Sequence, residues 1–186
     1  SPKIHESIFD PCSGSGNNLI EAIKYCSALP NYQNINATLS IRGCSDDPEL
    51  RAFSKVRIAL IDEEGINIKT NIQEFATDLY RKEGESYSTS NKNPNLVFCN
   101  PDDPNQRRSI DYLGESLNAA GDRGRIAIVC ANRFLEQGTT PGLHNKNFLE
   151  IINNDWLDSV IGLTSRYSLV IIDKAKHNKR INKVLF

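Results

Sequence analysis

The residues best suited by type and spacing to do chemistry fall in one run, Phe9-Asp10-Pro11-Cys12-Ser13-Gly14-Ser15-Gly16, which follows the short apolar stretch Ser7-Ile8-Phe9. Glycines after a strand let the backbone turn sharply and approach a ligand closely. A helix that opens after such a loop presents free N–H groups to a polar or anionic group. In open α/β sheets ligands lie outside the carboxyl ends of the strands, and Asp10 would stand at that edge. A second polar run, Asn100-Pro101-Asp102-Asp103, follows the strand-like Leu96-Val97-Phe98-Cys99. Taken alone it reads as an Asn-Pro turn at a strand end.

Other chemistries fit less well. No Gly-Lys-Ser/Thr follows the glycines, which disfavours a phosphate loop of the Walker kind. Ser13 or Ser15 as a hydrolase nucleophile would want a G-x-S-x-G elbow, and Ser13 lacks the leading glycine. His5, His144 and His177 are scattered and show no metal-ligand spacing. Cys12, Cys26, Cys44, Cys99 and Cys130 are odd in number with no C-x-x-C pair, which reads as buried reduced thiols in a cytosolic protein.

The elements that must position these residues alternate. After the first strand and its loop, Leu19, Ile20, Ala22, Ile23 and Cys26 recur at helical spacing. Ala37–Ile41 reads as a second strand ending at Gly43, and Pro48 opens a helix through about Ile61. Ile66–Ile72 reads as a third strand, residues 81–94 as a mobile polar loop, and Leu96–Cys99 as a fourth strand. A helix over about Arg107–Ala120, a buried strand over Arg125–Cys130 and a helix over Asn147–Asn154 follow. Ser159–Leu163 and Ser168–Asp173 are joined by so short a link that they must pair antiparallel. The pattern predicts an α/β fold with a mostly parallel, doubly wound sheet and an antiparallel edge strand.

Bulk properties bound the function. The chain has 186 residues, enough for one domain over 1–186. Its hydrophobic content of 39% suits a globular core. A formal net charge of −1 gives no global basic field for nucleic acid, so DNA binding would need a local patch or a further domain. Candidates for such a patch are Arg107-Arg108 and the run Lys174-Ala175-Lys176-His177-Asn178-Lys179-Arg180, though a solvated helix start and a solvated turn are the plainer readings. Trp156 reads as a core or domain-contact residue. No apolar run approaches the roughly 18 residues of a membrane span, and no signal peptide is visible. With no methionine and a strand starting within the first few residues, the chain looks like a domain cut from a longer cytoplasmic protein.

The D-P-x-x-G-S-G pattern of Asp10–Gly16, with Asn100-Pro101 after the fourth strand, resembles the amino-group DNA methyltransferases, in particular the modification subunits of type I restriction systems. Gly124–Val129, Leu157–Leu163 and Lys183–Phe186 are similar to scaffold segments of those subunits, so the likeness runs from about Ser7 to Phe186. It implies a Rossmann-like class I fold that binds S-adenosylmethionine at Asp10, Pro11, Cys12, Gly14 and Gly16. It places Asp46 near the ribose hydroxyls, since the family's acid falls at Ser45 here, and Asn71 near the adenine ring.

The same resemblance makes Asn100 and Pro101 the catalytic pair. An exocyclic amino group is a poor nucleophile because its lone pair is delocalised into the ring. The Asn side chain and a Pro carbonyl accept its hydrogens and localise that pair. The base must first leave the duplex. Asp102 and Asp103 stand at the substrate-facing positions where the family carries proline and an aromatic ring. The link Thr164-Ser165-Arg166-Tyr167 is shorter than the family's. Implied partners are duplex DNA with a flipped adenine, a specificity subunit and a restriction subunit. The departures keep open a second reading, a degenerate methyltransferase domain acting in assembly or in cofactor or DNA binding. A third is another small-molecule transferase on the same fold.

Overall fold

The computed structural model describes residues 7–29, 37–61, 66–73, 96–101, 107–132, 135 and 146–186. The segment 81–94 and the pair Asp102-Asp103 lie outside these described residues.

Strand β1 (Ser7–Asp10) is buried at every position, as a central parallel strand must be when helices cover both of its faces. It is joined by β2 (Ala37–Cys44), β3 (Ile66–Gln73), β4 (Leu96–Cys99), β5 (Arg125–Ala131), β6 (Leu157–Gly162) and β7 (Tyr167–Asp173). These form a seven-stranded sheet in the order β3-β2-β1-β4-β5-β7-β6. The first five strands pair in parallel, and β7 runs antiparallel to both of its neighbours. The order reverses between β1 and β4, so a crevice opens where their carboxyl ends diverge.

Helices α1 (Asn17–Ser27), α2 (Pro48–Ala59), α3 (Arg107–Ala119) and α4 (Lys146–Asn153) follow β1, β2, β4 and β5 in the chain. In α1 the apolar stripe Leu19, Ile20, Ala22, Ile23 and Cys26 is the buried face, at the spacing read from the sequence. Asp47 caps α2, accepting from the Glu49 and Leu50 backbone N–H groups, and Pro48 occupies the first turn. Two apolar cores result. Ile8, Leu39, Ile41 and Ile72 of the sheet pack with Leu19 and Ile23 of α1 and Ile58 of α2. On the opposite face Phe9, Val97, Ile126, Ile128 and Ile172 pack with Leu113 and Leu117 of α3 and Ile151 of α4.

The fold class agrees with the sequence reading in everything but one placement. The antiparallel strand is not the edge strand; β7 is inserted between β5 and β6, and β6 forms the edge. The strands of a hairpin are antiparallel to each other whichever of them joins the sheet, so the short link could not decide this. Burial does. Ser168, Val170 and Ile172 of β7 are buried, whereas β6 ends in exposed Ile161 and Gly162.

The basic run after β7 is used by the fold. Lys174 Nζ donates to the Leu117 and Ala120 carbonyls at 2.8 and 3.1 Å, closing the end of α3, and lies over the Trp156 ring. Lys176 pairs with Asp155 at 2.9 Å and Arg180 with Asp158 at 2.8 Å. Trp156 packs half-buried against the core. Among the described residues no helix is long and apolar enough to cross a membrane.

Candidate cofactor and base site

The loop between β1 and α1 is stitched to its surroundings at almost every residue. Asp10 is fully buried. Its carboxylate accepts from the Cys12 backbone N–H at 3.0 Å and from Asn18 Nδ2 at 3.1 Å. Burial pushes its pKa up to about 6, against the pull of these donors. Asp10 therefore braces the turn from inside. Ser13 donates both its backbone N–H and its hydroxyl to the Cys44 carbonyl, at 2.8 and 3.0 Å, which ties the loop to the end of β2.

Gly14 and Gly16 have φ of +49 and +83, the left-handed region where a side chain is strained. Around Gly14 a β-carbon would meet nothing within 4 Å, so that side of the loop is open. At Gly16 a β-carbon would collide with the Ser54 hydroxyl of α2. Arg57 of α2 completes the backing, donating to the Ser15 carbonyl at 2.9 Å and to Asn17 Oδ1 at 2.7 Å. Gly16 is the N-cap of α1, and no side chain caps that helix. The first-turn N–H groups and their partial positive charge thus stand at an open, glycine-lined edge.

Beside this loop, at the end of the neighbouring strand, Asn100 is exposed and Pro101 half-buried. The two segments touch through sulfur. Cys12 Sγ is 3.4 Å from Cys99 Sγ, and the Asn100 backbone N–H approaches the Cys12 sulfur. The Cys12 thiol is pushed far up, first by its contact with Cys99 and then by burial. Asn100 also heads a groove of about 620 Å³. Its floor is Phe98, Ala127, Val129, Leu169 and Ile171, and α1 forms one wall through Asn18, Ala22 and Tyr25. At the same edge of the sheet, Asn132 donates to the Ser165 carbonyl and accepts from Ser168, holding the short β6–β7 link.

The remaining sequence candidates are placed unequally. Asp46 is exposed just beyond β2, while Asp47 is committed to capping α2 and Ser45 is buried, with its hydroxyl directed to the Asp47 carbonyl. Asn71 is exposed within β3, opposite Arg42 and two residues short of the strand end, not at the carboxyl edge. Asn18, Ser54 and Arg57 were not singled out in the sequence. A polar residue on a helix carries no local mark of what it meets across the fold, and these are recognised only by their contacts. All five cysteines are free thiols, and Cys12 alone among them is not fully buried.

A buried acid bracing the turn, two glycines with positive φ, open space at Gly14 and an uncapped helix start suit the polar end of S-adenosylmethionine. Among the described residues no group of three or more His, Cys, Asp or Glu is arranged to hold a metal ion.

Solved structures share this architecture. A Listeria monocytogenes protein assigned as a class I S-adenosylmethionine-dependent methyltransferase superposes with a TM-score of 0.66 at 15% identity, over 96% of this chain and 56% of its own. A Vibrio vulnificus YJ016 protein assigned as the modification subunit of a type I restriction enzyme gives 0.58 at 15% identity, over 94% of this chain and 41% of its own. Fibrillarin of Aeropyrum pernix, with natively bound S-adenosylmethionine, gives 0.53 at 12%, over 91% and 67%. At these identities the likeness establishes the class I methyltransferase fold. The chain spans about half the length of the first two of these structures. No curated protein matches the chain by sequence. The N-6 DNA methylase profile, in contrast, matches residues 1–186, and the chain belongs to that family.

Proposed function

We propose that this chain is the S-adenosylmethionine-binding catalytic core of a DNA adenine-N6 methyltransferase of the type I restriction-modification kind. The observation that carries the reading is the contact between the Asp10–Gly16 loop and the Cys99-Asn100 strand end, which brings a cofactor cradle against a polar Asn-Pro turn.

Family chemistry and this geometry together support the following roles. Asp10 and Asn18 hold the turn, Gly14 leaves room for the ligand, and the α1 N-terminus faces its polar end. Asp46 would accept from the ribose hydroxyls. When bound, S-adenosylmethionine supplies a methyl group on a positively charged sulfur. Asn100 Oδ1 and the Pro101 carbonyl accept hydrogens of the adenine amino group, so that its lone pair points outward. Asp102 and Asp103 follow directly and would border the flipped base. The substrate is duplex DNA, the working assembly includes a specificity subunit and a restriction subunit, and the compartment is the cytoplasm. The family and the Vibrio neighbour support these partners.

A second reading, a domain with the fold but without methyl transfer, is favoured by Asp102 and Asp103 in place of proline and an aromatic ring and by Asn71 lying inside β3. Calorimetric titration with S-adenosylmethionine, followed by DNA methylation by the parent protein with and without Asn100→Ala, separates the two. One-to-one binding with methylation lost in the variant supports the enzyme. Binding without methylation in the parent supports the second reading, and absence of binding to the parent overturns the cofactor role.

A further inference from the structure

The chemistry proposed above uses no thiol, yet the two halves of the site meet through a pair of them. Cys12 and Cys99 are 87 positions apart in the chain, and their sulfurs are 3.4 Å apart in the fold. One lies in the loop between β1 and α1 and the other closes β4. A disulfide needs sulfurs about 2.0 Å apart, so a closing motion of about 1.4 Å separates contact from bond. Turning of the two cysteine side chains supplies most of that motion, because the backbone is held at Cys12 by Asp10 and at Ser13 by the Cys44 carbonyl and shifts only slightly. Access is graded in the same direction: Cys12 is half-buried, and Cys99 is 2% exposed.

We propose that Cys12 and Cys99 form a reversible disulfide when the chain meets a hydroperoxide, and that this bond draws the Asp10–Gly16 loop onto the end of β4 and weakens S-adenosylmethionine binding. The last part rests on the cofactor role proposed above. Cys12, the less buried of the two, attacks one peroxide oxygen; the O–O bond breaks, the other oxygen leaves with the thiol proton as water (as an alcohol from an organic hydroperoxide) and a sulfenic acid remains. Cys99 sulfur then attacks Cys12 sulfur; the S–S bond forms, the S–O bond breaks, and the departing hydroxide takes the Cys99 proton as a second water. The two thiols give up two electrons, and the peroxide receives them. Mutual contact and burial hold the Cys12 thiol protonated, so the reaction is slow at neutral pH.

The test is peroxide treatment of the chain, blocking of residual thiols, digestion and mass spectrometry, with amide exchange and S-adenosylmethionine titration before and after. The expected result is a Cys12–Cys99 linked peptide, with Cys26, Cys44 and Cys130 still reduced. Exchange across Ser13–Asn18 slows, affinity falls about tenfold or more, and dithiothreitol reverses all three changes. Cys99→Ala yields no link and no slowed exchange; Cys99→Ser serves if alanine loosens β4. Absence of the linked peptide, or a link through Cys130 or between chains, overturns the proposal. A link that leaves affinity unchanged overturns its control of the site. Linkage and exchange are read without cofactor, so a chain that never binds S-adenosylmethionine fails the cofactor reading separately.

Discussion

Ser54 of α2 stands directly behind Gly16, so closely that the smallest side chain at Gly16 would overlap its hydroxyl. Gly16 also has φ of +83. Gly14 shares the positive φ, at +49, but faces open space. The two glycines of one motif are therefore required for different reasons.

Alanine substitution separates them. Gly16→Ala is expected to cost about 2–4 kcal/mol, from backbone strain and overpacking together. Gly14→Ala costs about 1 kcal/mol from strain alone, but its methyl group enters the open side of the loop, where the proposed ligand would sit. Urea unfolding should show the larger loss for Gly16→Ala. Titration should show weakened S-adenosylmethionine binding in Gly14→Ala while the fold persists.

Asp46 and Asp47 make a second contrast between neighbours. Asp47→Ala removes the cap of α2 and is expected to cost about 1 kcal/mol of stability. Asp46→Ala, at an exposed site, changes stability by about 0.5 kcal/mol or less. If Asp46 accepts from the ribose, its loss lowers affinity about tenfold. Equal affinities for Asp46→Ala and the parent would remove Asp46 from the site.

Asp10 gives the fold a pH dependence whose sign follows from burial. Its pKa rises from 3.8 to about 6 because burial disfavours the charged form, and Glu115 in the opposite core rises to about 7 for the same reason. Both hold their protons more tightly folded than unfolded. Their stabilising contribution is complete below the unfolded values and is lost as pH rises through about 6 and about 7. The stability difference between Asp10→Asn and the parent should move in the variant's favour by about 3 kcal/mol from acid to neutral pH. Denaturant unfolding across that range checks it, and a flat difference would refute it.

Asn100→Ala tests the base half of the site. Asn100 is exposed, so stability should shift by about 0.5 kcal/mol or less. S-adenosylmethionine binding should persist, while methylation by the parent protein falls about a hundredfold or more with the lost acceptor. Single-turnover methylation of an adenine-containing duplex is the measurement.

Much of this was legible in the chain because the signals are local. Glycine spacing after an apolar triplet, proline at a helix start and apolar residues at helical period act within a few positions. They located β1, its loop, α1, α2 and the Asn-Pro turn at β4. Asn71 shows where local reading loses accuracy. The resemblance set it at the strand end, but pairing with β2 carries β3 on to Gln73.

By itself, then, the sequence determined the alternation of strands and helices, the conformational freedom of the Asp10–Gly16 loop and the polar character of the Asn100 turn, because each depends on bonds and dihedrals near in the chain. Only the tertiary structure decided that Cys12 meets Cys99, that Ser54 and Arg57 back the loop from α2, and that β7 lies inside β6. Those contacts join distant residues, and their partners are selected by which surfaces the packed sheet and helices bring together and bury.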